Sequence, residues 1–312
     1  MRIDGGRAAR GVSAILVLGF VLGSVAVLGD RLPARADAPG ARAAAAPPLT
    51  TLRMVRSAGG RQATVRERTV LREGIDVSHW QDRIDWGRVA RSGVDFAWVK
   101  ASEGTGLVDR RYRRNVTRAR AAGIRVGAYH FAVPEAGVRD ARRQADHLVR
   151  TAQARPGDLV PALDLEVDGG LSRGALRRWT VAFLARVETR LGVRPVLYTS
   201  PGFASAELAG VRSLARDHAP ALWVAHWGTR RPDLPGDAWA GRGWSFWQWT
   251  DRGQVPGISG PVDRNLYSGP ALRTLTIGAR RAAAERRSDG VREDAGERGS
   301  RDERGRAARG RG

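Results

Sequence analysis

Asp164 and Glu166 lie two residues apart in Pro161-Ala162-Leu163-Asp164-Leu165-Glu166. In a β-strand, residues i and i+2 share a face, so these carboxyls stand side by side while Leu163, Leu165 and Val167 face the other way. Two close carboxyls in a partly dry site disfavour ionising both, which keeps one protonated as an acid. Alone, a D-x-E is common at exposed strand-to-loop junctions. Here Asp76, in Gly74-Ile75-Asp76-Val77-Ser78-His79-Trp80, and Asp263, beyond a Gly/Pro loop, also fall at predicted strand ends. Four acids so placed are hard to assign to coincidence. They could carry acid–base chemistry or hold Mg²⁺ or Ca²⁺.

The aromatic residues favour the first reading. All ten Trp lie between positions 80 and 249. Aromatic faces beside carboxylates suit a sugar polymer, whose rings stack while its hydroxyls take hydrogen bonds. Trp80, Trp247 and Trp249, with Tyr129, Tyr198 and Glu103, are the candidate substrate-binding residues; for these three Trp and Trp227, core packing is an equal alternative. Trp98 and Trp179 read as core. The five histidines show no metal-ligand spacing; His147 and His218 read as surface helix residues, and His79, His130 and His226 fall near strand ends. The chain has no cysteine, which excludes a thiolate nucleophile and sulfur-ligated metals. No G-x-S-x-G elbow is present, and Gly104-Thr105-Gly106 is too short for a phosphate loop.

Short apolar runs that alternate with amphipathic ones must position these residues. Strands are predicted at 74–77, 96–100, 125–131, 160–166, 195–199, 222–225 and 245–249, and helices at 109–122, 138–154 and 172–191. Ser172 is a plausible N-cap, and Gly123 and Gly192 close two helices. Strand–helix–strand with short links implies parallel strands and crossover helices. After Tyr198 there is room only for short helices, so the last strands should connect more directly. The expected fold is α/β: an irregular, modified TIM-like β/α barrel, a single domain with disordered N- and C-terminal tails.

The boundaries follow from composition. Arg2, Arg7 and Arg10 precede an apolar run from Val12 to Leu28 and then Ala34-Arg35-Ala36, the parts of a secretory signal over 1–36. An uncleaved anchor is the competing reading. Residues 37–71 read as a linker or propeptide, 72–278 as the barrel, and 279–312 as an Arg-rich tail. The formal net charge of +21 would suggest nucleic acid, but the two ends hold 22 Arg against 11 acids. A nucleic-acid binder would interleave aromatics with basic residues, whereas here they accompany acids. Nor does any heptad demand a partner, so the chain reads as a monomer.

The segments G-I-D-V-S-H-W-Q, V-K-A-S-E-G-T, G-A-Y-H-F, P-A-L-D-L-E, L-Y-T-S, F-W-Q-W-T and V-P-G-I-S-G-P-V-D-R-N-L, in this order, resemble glycoside hydrolase family 25, the N-acetylmuramidase type of lysozyme. The resemblance covers about Gly74 to Leu275. It implies a secreted or cell-wall-associated enzyme that cleaves the β-1,4 bond between N-acetylmuramic acid and N-acetylglucosamine in peptidoglycan, without metal or organic cofactor. It maps the family's four active-site acids onto Asp76, Asp164, Glu166 and Asp263. Glu166 would be the general acid/base. Asp164 would stabilise charge at the anomeric centre or orient the substrate's N-acetyl group. A non-catalytic glycan-binding module on the same barrel is the alternative, and chitinase-like specificity is a near neighbour. The chain departs from the pattern at Asp82, where Gly is common, and at Arg264, where an apolar residue is common.

Overall fold

The computed structural model describes residues 70–269 and 271–279. The predicted signal over 1–36 and all but the inner edges of 37–71 and 279–312 lie outside the described residues. Nine strands form one sheet: β1 (Val70–Val77), β2 (Phe96–Glu103), β3 (Leu107–Val108), β4 (Arg125–Phe131), β5 (Ala162–Asp164), β6 (Val196–Thr199), β7 (Leu222–Ala225), β8 (Phe246–Gly253) and β9 (Val262–Gly269), in the order β1-β9-β8-β7-β6-β5-β4-β2-β3. β1 also pairs with β2, so eight strands close into a barrel and β3 is a short appended hairpin. The first strand begins at Val70, inside the segment that composition assigns to a linker.

Pairing is parallel from β1 through β2, β4, β5, β6 and β7 to β8, and antiparallel where β9 joins β8 and β1. The crossovers carry α1 (Trp86–Arg91), α2 (Tyr112–Ala121), α3 (Val138–Ala152), α4 (Arg173–Leu191), α5 (Pro201–Glu207) and α6 (Val211–Asp217). The Ser172 side chain accepts from the Ala175 N–H, and Gly192, at φ 67°, ends α4. The expected direct link between the last strands is the β8–β9 loop. Because β9 runs against its neighbours, its start, not its end, reaches the same rim as the other strands' C-terminal ends.

Period-two alternation splits the apolar residues into two cores. Phe96, Trp98, Ala162, Trp223, Phe246 and Tyr267 fill the barrel interior, where Trp98 stacks on Trp223 with centroids 5.1 Å apart. Gly127 faces this stack, and a Cβ there would lie 2.4 Å from the Trp98 ring, so the position takes only glycine without repacking. Ile75, Val99, Leu163, Leu197 and Val224 face outward onto helix residues such as Leu148, Phe183 and Leu184. This outer layer is the larger core and holds the rim in place.

Both departures from the family pattern have local accounts. Asp82 sits at φ 43°, a left-handed conformation that glycine adopts freely, and its carboxylate pairs with Arg111. Arg264 points outward, lays its guanidinium over the Trp249 ring at 5.2 Å and pairs with Glu73.

Candidate active site

At the rim, Asp76 near the end of β1 lies directly opposite Asp263 near the start of β9. Asp76 is buried, and burial raises its pKa, while hydrogen bonds hold the rise back. Its Oδ2 accepts from Asn265 Nδ2 at 2.7 Å and Gln248 Nε2 at 2.9 Å. Asp263 is pushed up further, first by burial and then by the charges of Asp76 and Asp251. Asp263 therefore holds a proton more tightly than Asp76, and the facing pair resists carrying two negative charges at once.

The Asp76 contacts extend into a network across the lumen. Asn265 Oδ1 accepts from Trp223 Nε1 at 2.7 Å. Gln248 Oε1 accepts from the Tyr198 hydroxyl at 3.1 Å and from Trp227 Nε1 at 2.9 Å. Asp76 is therefore oriented by two amides that are themselves oriented by fixed aromatic donors. Replacing Asn265 with Ala removes one donor to Asp76 and leaves the buried Trp223 N–H unpaired. Chemical denaturation is expected to show a loss of about 1–3 kcal/mol. A loss within about 0.5 kcal/mol would show that the network does not brace the barrel.

The second acid pair lies across the lumen. β5 ends at Asp164, so Glu166 is on the following loop rather than in the strand as expected. The register persists for one more bond, from Leu165 N–H to Tyr198 O at 3.0 Å, and the two carboxyls remain neighbours. Asp164 is buried among Tyr129, Tyr198 and the other acids, and its Oδ1 accepts no hydrogen bond among the described residues. Burial, followed by the nearby Glu166 charge, raises its pKa well above the usual range. Glu166 reaches the solvent-exposed rim, yet the partly dry pocket beneath it raises its carboxyl as well. The two can share one proton at a pH where free carboxyls would be ionised.

Lys100, the single lysine of the chain, was not among the residues singled out from the sequence. Its Nζ donates to Glu103 Oε2 at 2.7 Å and lies 4.7 Å from the Phe131 ring centroid. Its charge opposes the rise in both Asp164 and Glu166. Glu103 is at the rim and holds this ammonium in place. The signal was present: one Lys among 52 Arg, on a strand that points inward at every second residue. Asn265 could also have been found, as the i+2 neighbour of Asp263.

Tyr129 and Tyr198 face the acid cluster, and burial raises both phenols. Trp80 is 59% exposed at the rim, beside the His79 ring that Asp109 anchors. Trp247 and Trp249, expected in the groove, are instead outer-core residues. Phe246 and Gln248 take the inward positions, so the two Trp point outward, and Trp247 Nε1 donates to His226 O at 2.8 Å. His147, read as a surface residue, is buried and reaches Leu107 O. His130 is buried behind the barrel wall between Ser102 and Gln144, away from the rim acids. Among the described residues no group of His, Asp or Glu converges as metal ligands.

A barrel that gathers proton-sharing carboxyls at one end, above an aromatic lumen, has the architecture of a glycoside hydrolase. Residues 75–258 match the family Glycosyl hydrolases family 25, and the chain belongs to that family. The match stops before Asp263, which the fold itself brings to the rim. Among known proteins, Lysozyme M1 of Streptomyces globisporus is 38% identical over 214 residues, covering 66% of this chain and 70% of that one. The Escherichia coli protein YegX is 43% identical over 201 residues, covering 63% and 69%. A crystal structure of the bacterial lysozyme from Streptomyces coelicolor superimposes with a TM-score of 0.61 at 36% identity, covering 67% of this chain and 98% of that chain.

Proposed function

We propose that the protein is an exported muramidase that hydrolyses the β-1,4 bond between N-acetylmuramic acid and N-acetylglucosamine in peptidoglycan. The observation that carries this reading is the exposed Glu166 seated beside the buried Asp164, with one proton to share. Glu166 gives that proton to the glycosidic oxygen and later takes one from the attacking water. Asp164 presents an unpaired buried acceptor to the substrate. An acetamido N–H fits it, and that contact would turn the acetamido oxygen toward the anomeric carbon. Asp76, held by Asn265 and Gln248 and facing Asp263, supplies fixed negative charge near the developing oxocarbenium. Tyr129, Tyr198, Trp80 and Glu103 line the approach. The relatives named as lysozymes support the substrate class. The basic n-region and apolar run before Ala36 support export, and a wall-acting enzyme must reach the wall.

Digesting peptidoglycan and chitin side by side tests the reading. New reducing ends are expected on N-acetylmuramic acid, with chitin left largely intact. Because Asp164 and Glu166 are both raised, the rate should persist above the ordinary carboxylate range and fall as the shared proton is lost at higher pH. Reducing ends on N-acetylglucosamine, or equal turnover of chitin, would overturn the specificity.

A further inference from the structure

A groove of about 940 Å³ runs along the barrel flank between α1, α2 and the β8–β9 loop, lined by Arg83, Arg88, Arg114 and Arg118. Through Arg88, Pro256 and Ile258 it continues into a second hollow that reaches Arg252. Arg252 follows Asp251, whose charge is felt by Asp263, so the track begins beside the catalytic rim. Its wall is fixed: Asp85 N–H donates to Gly257 O at 2.8 Å, and a Cβ on Gly257, at φ 100°, would lie 2.5 Å from the Asp85 carbonyl oxygen.

The charges of this groove are not neutralised from within. Asp85 is the one acid in its lining, and its carboxylate caps α1 by accepting from Arg88 N–H at 3.0 Å. Arg83, Arg88, Arg114 and Arg118 make no ion pair among the described residues, while neighbouring Arg111 is paired with Asp82. The guanidinium of Arg114 is accordingly easier to deprotonate than usual, chiefly through the charge of Arg118. An ordinary solvated face disperses its cations or pairs them, as Arg186 and Arg190 do with Asp146 on α3. Four arginines without ion-pair partners along one open groove instead offer a run of cations to a chain of anions.

We propose that this groove docks a phosphodiester-linked anionic polymer of the bacterial wall, of the teichoic-acid type, and so holds the catalytic rim against the glycan. The choice of a wall polymer rests on the muramidase reading. The groove itself argues against nucleic acid. Its one aromatic residue, Trp86, is buried, so bases would have no surface to stack on. A polyol phosphate needs only cations and a partly apolar floor, which Pro256 and Ile258 supply.

The test uses the full chain, a groove triple variant (Arg83→Ser, Arg114→Ser, Arg118→Ser) and a control triple of equal net charge on the α3–α4 face (Arg142→Ser, Arg150→Ser, Arg178→Ser). Binding to poly(glycerol phosphate) is measured against salt. The groove triple should bind about 10-fold or more weakly and lose about 2–3 from the slope of log K against log salt, and the control should change by less than about 2-fold. Both triples should cleave soluble, phosphate-free glycan fragments at the parental rate. Inactivity of every form on those fragments would remove the muramidase reading without bearing on the groove. Parental binding by the groove triple, or an equal loss in the control, would overturn the docking site. Duplex DNA of matching charge held as tightly, with the same sensitivity, would reassign the groove to nucleic acid.

Discussion

Replacing Glu166 with Gln is expected to cut peptidoglycan hydrolysis by about 10²–10⁴-fold, the usual contribution of a positioned general acid/base. The loss should fall on kcat, because a glutamine keeps the shape and the hydrogen-bonding reach of the side chain but has no proton to give. Stability should not fall: the residue lies on the loop after β5 outside both cores, and its removal lifts a charge that burdens the buried Asp164. Reducing-end release together with the thermal unfolding midpoint separates the two effects. Activity within a few-fold of the parent would remove Glu166 from the acid role and leave the pocket without an obvious proton donor at its surface.

Replacing Asp164 with Asn should have the opposite effects on activity and stability. Activity is expected to fall by about 10²–10³-fold, as when a charge-stabilising or substrate-orienting group is neutralised. Stability at pH 7 should rise. Burial lifts the folded-state pKa of Asp164 above its unfolded value, so the folded protein binds the extra proton. The associated stability is complete below the ordinary aspartate range and drains away as pH climbs toward the raised pKa. An amide carries no such dependence. The variant should therefore melt higher at neutral pH, with the gap closing toward pH 4. A lower midpoint at pH 7 would mean that the carboxylate is held by favourable partners rather than penalised by burial. The expected gain reflects a site kept less stable than the barrel could be for the sake of its chemistry.

The barrel was legible because crossover helices and short apolar strands leave few alternatives, and each predicted strand has a counterpart in the sheet. Asp76 and Asp164 were legible as strand-end acids with clear parity, and Glu166 as the i+2 neighbour of Asp164. The strand that carries Asp263 lay beyond the last one predicted, so that acid was legible only from the motif V-P-G-I-S-G-P-V-D-R-N-L. Parity failed in Phe246-Trp247-Gln248-Trp249, where both faces of the strand are apolar or aromatic. Alternation told the two faces apart but not which one points inward, and the single polar residue was the inward member. His147 was misjudged for a related reason. A helix flanked by Arg on both sides reads as exposed, yet the β2–β3 hairpin folds over that position and offers it a carbonyl. Lys100 and Asn265 were readable from composition and spacing; Lys100 is held by Glu103 on its own strand, whereas the partners of Asn265, Asp76 and Trp223, come from strands far away in the chain.

Asp76 and Asn265 are hydrogen-bonded across 189 positions of sequence, because the last strand closes the barrel against the first. A chain still on the ribosome, or one clipped before β9, lacks Asp263 and the amide that aims Asp76. The full acid cluster is therefore assembled only once the final strand of the domain is in place.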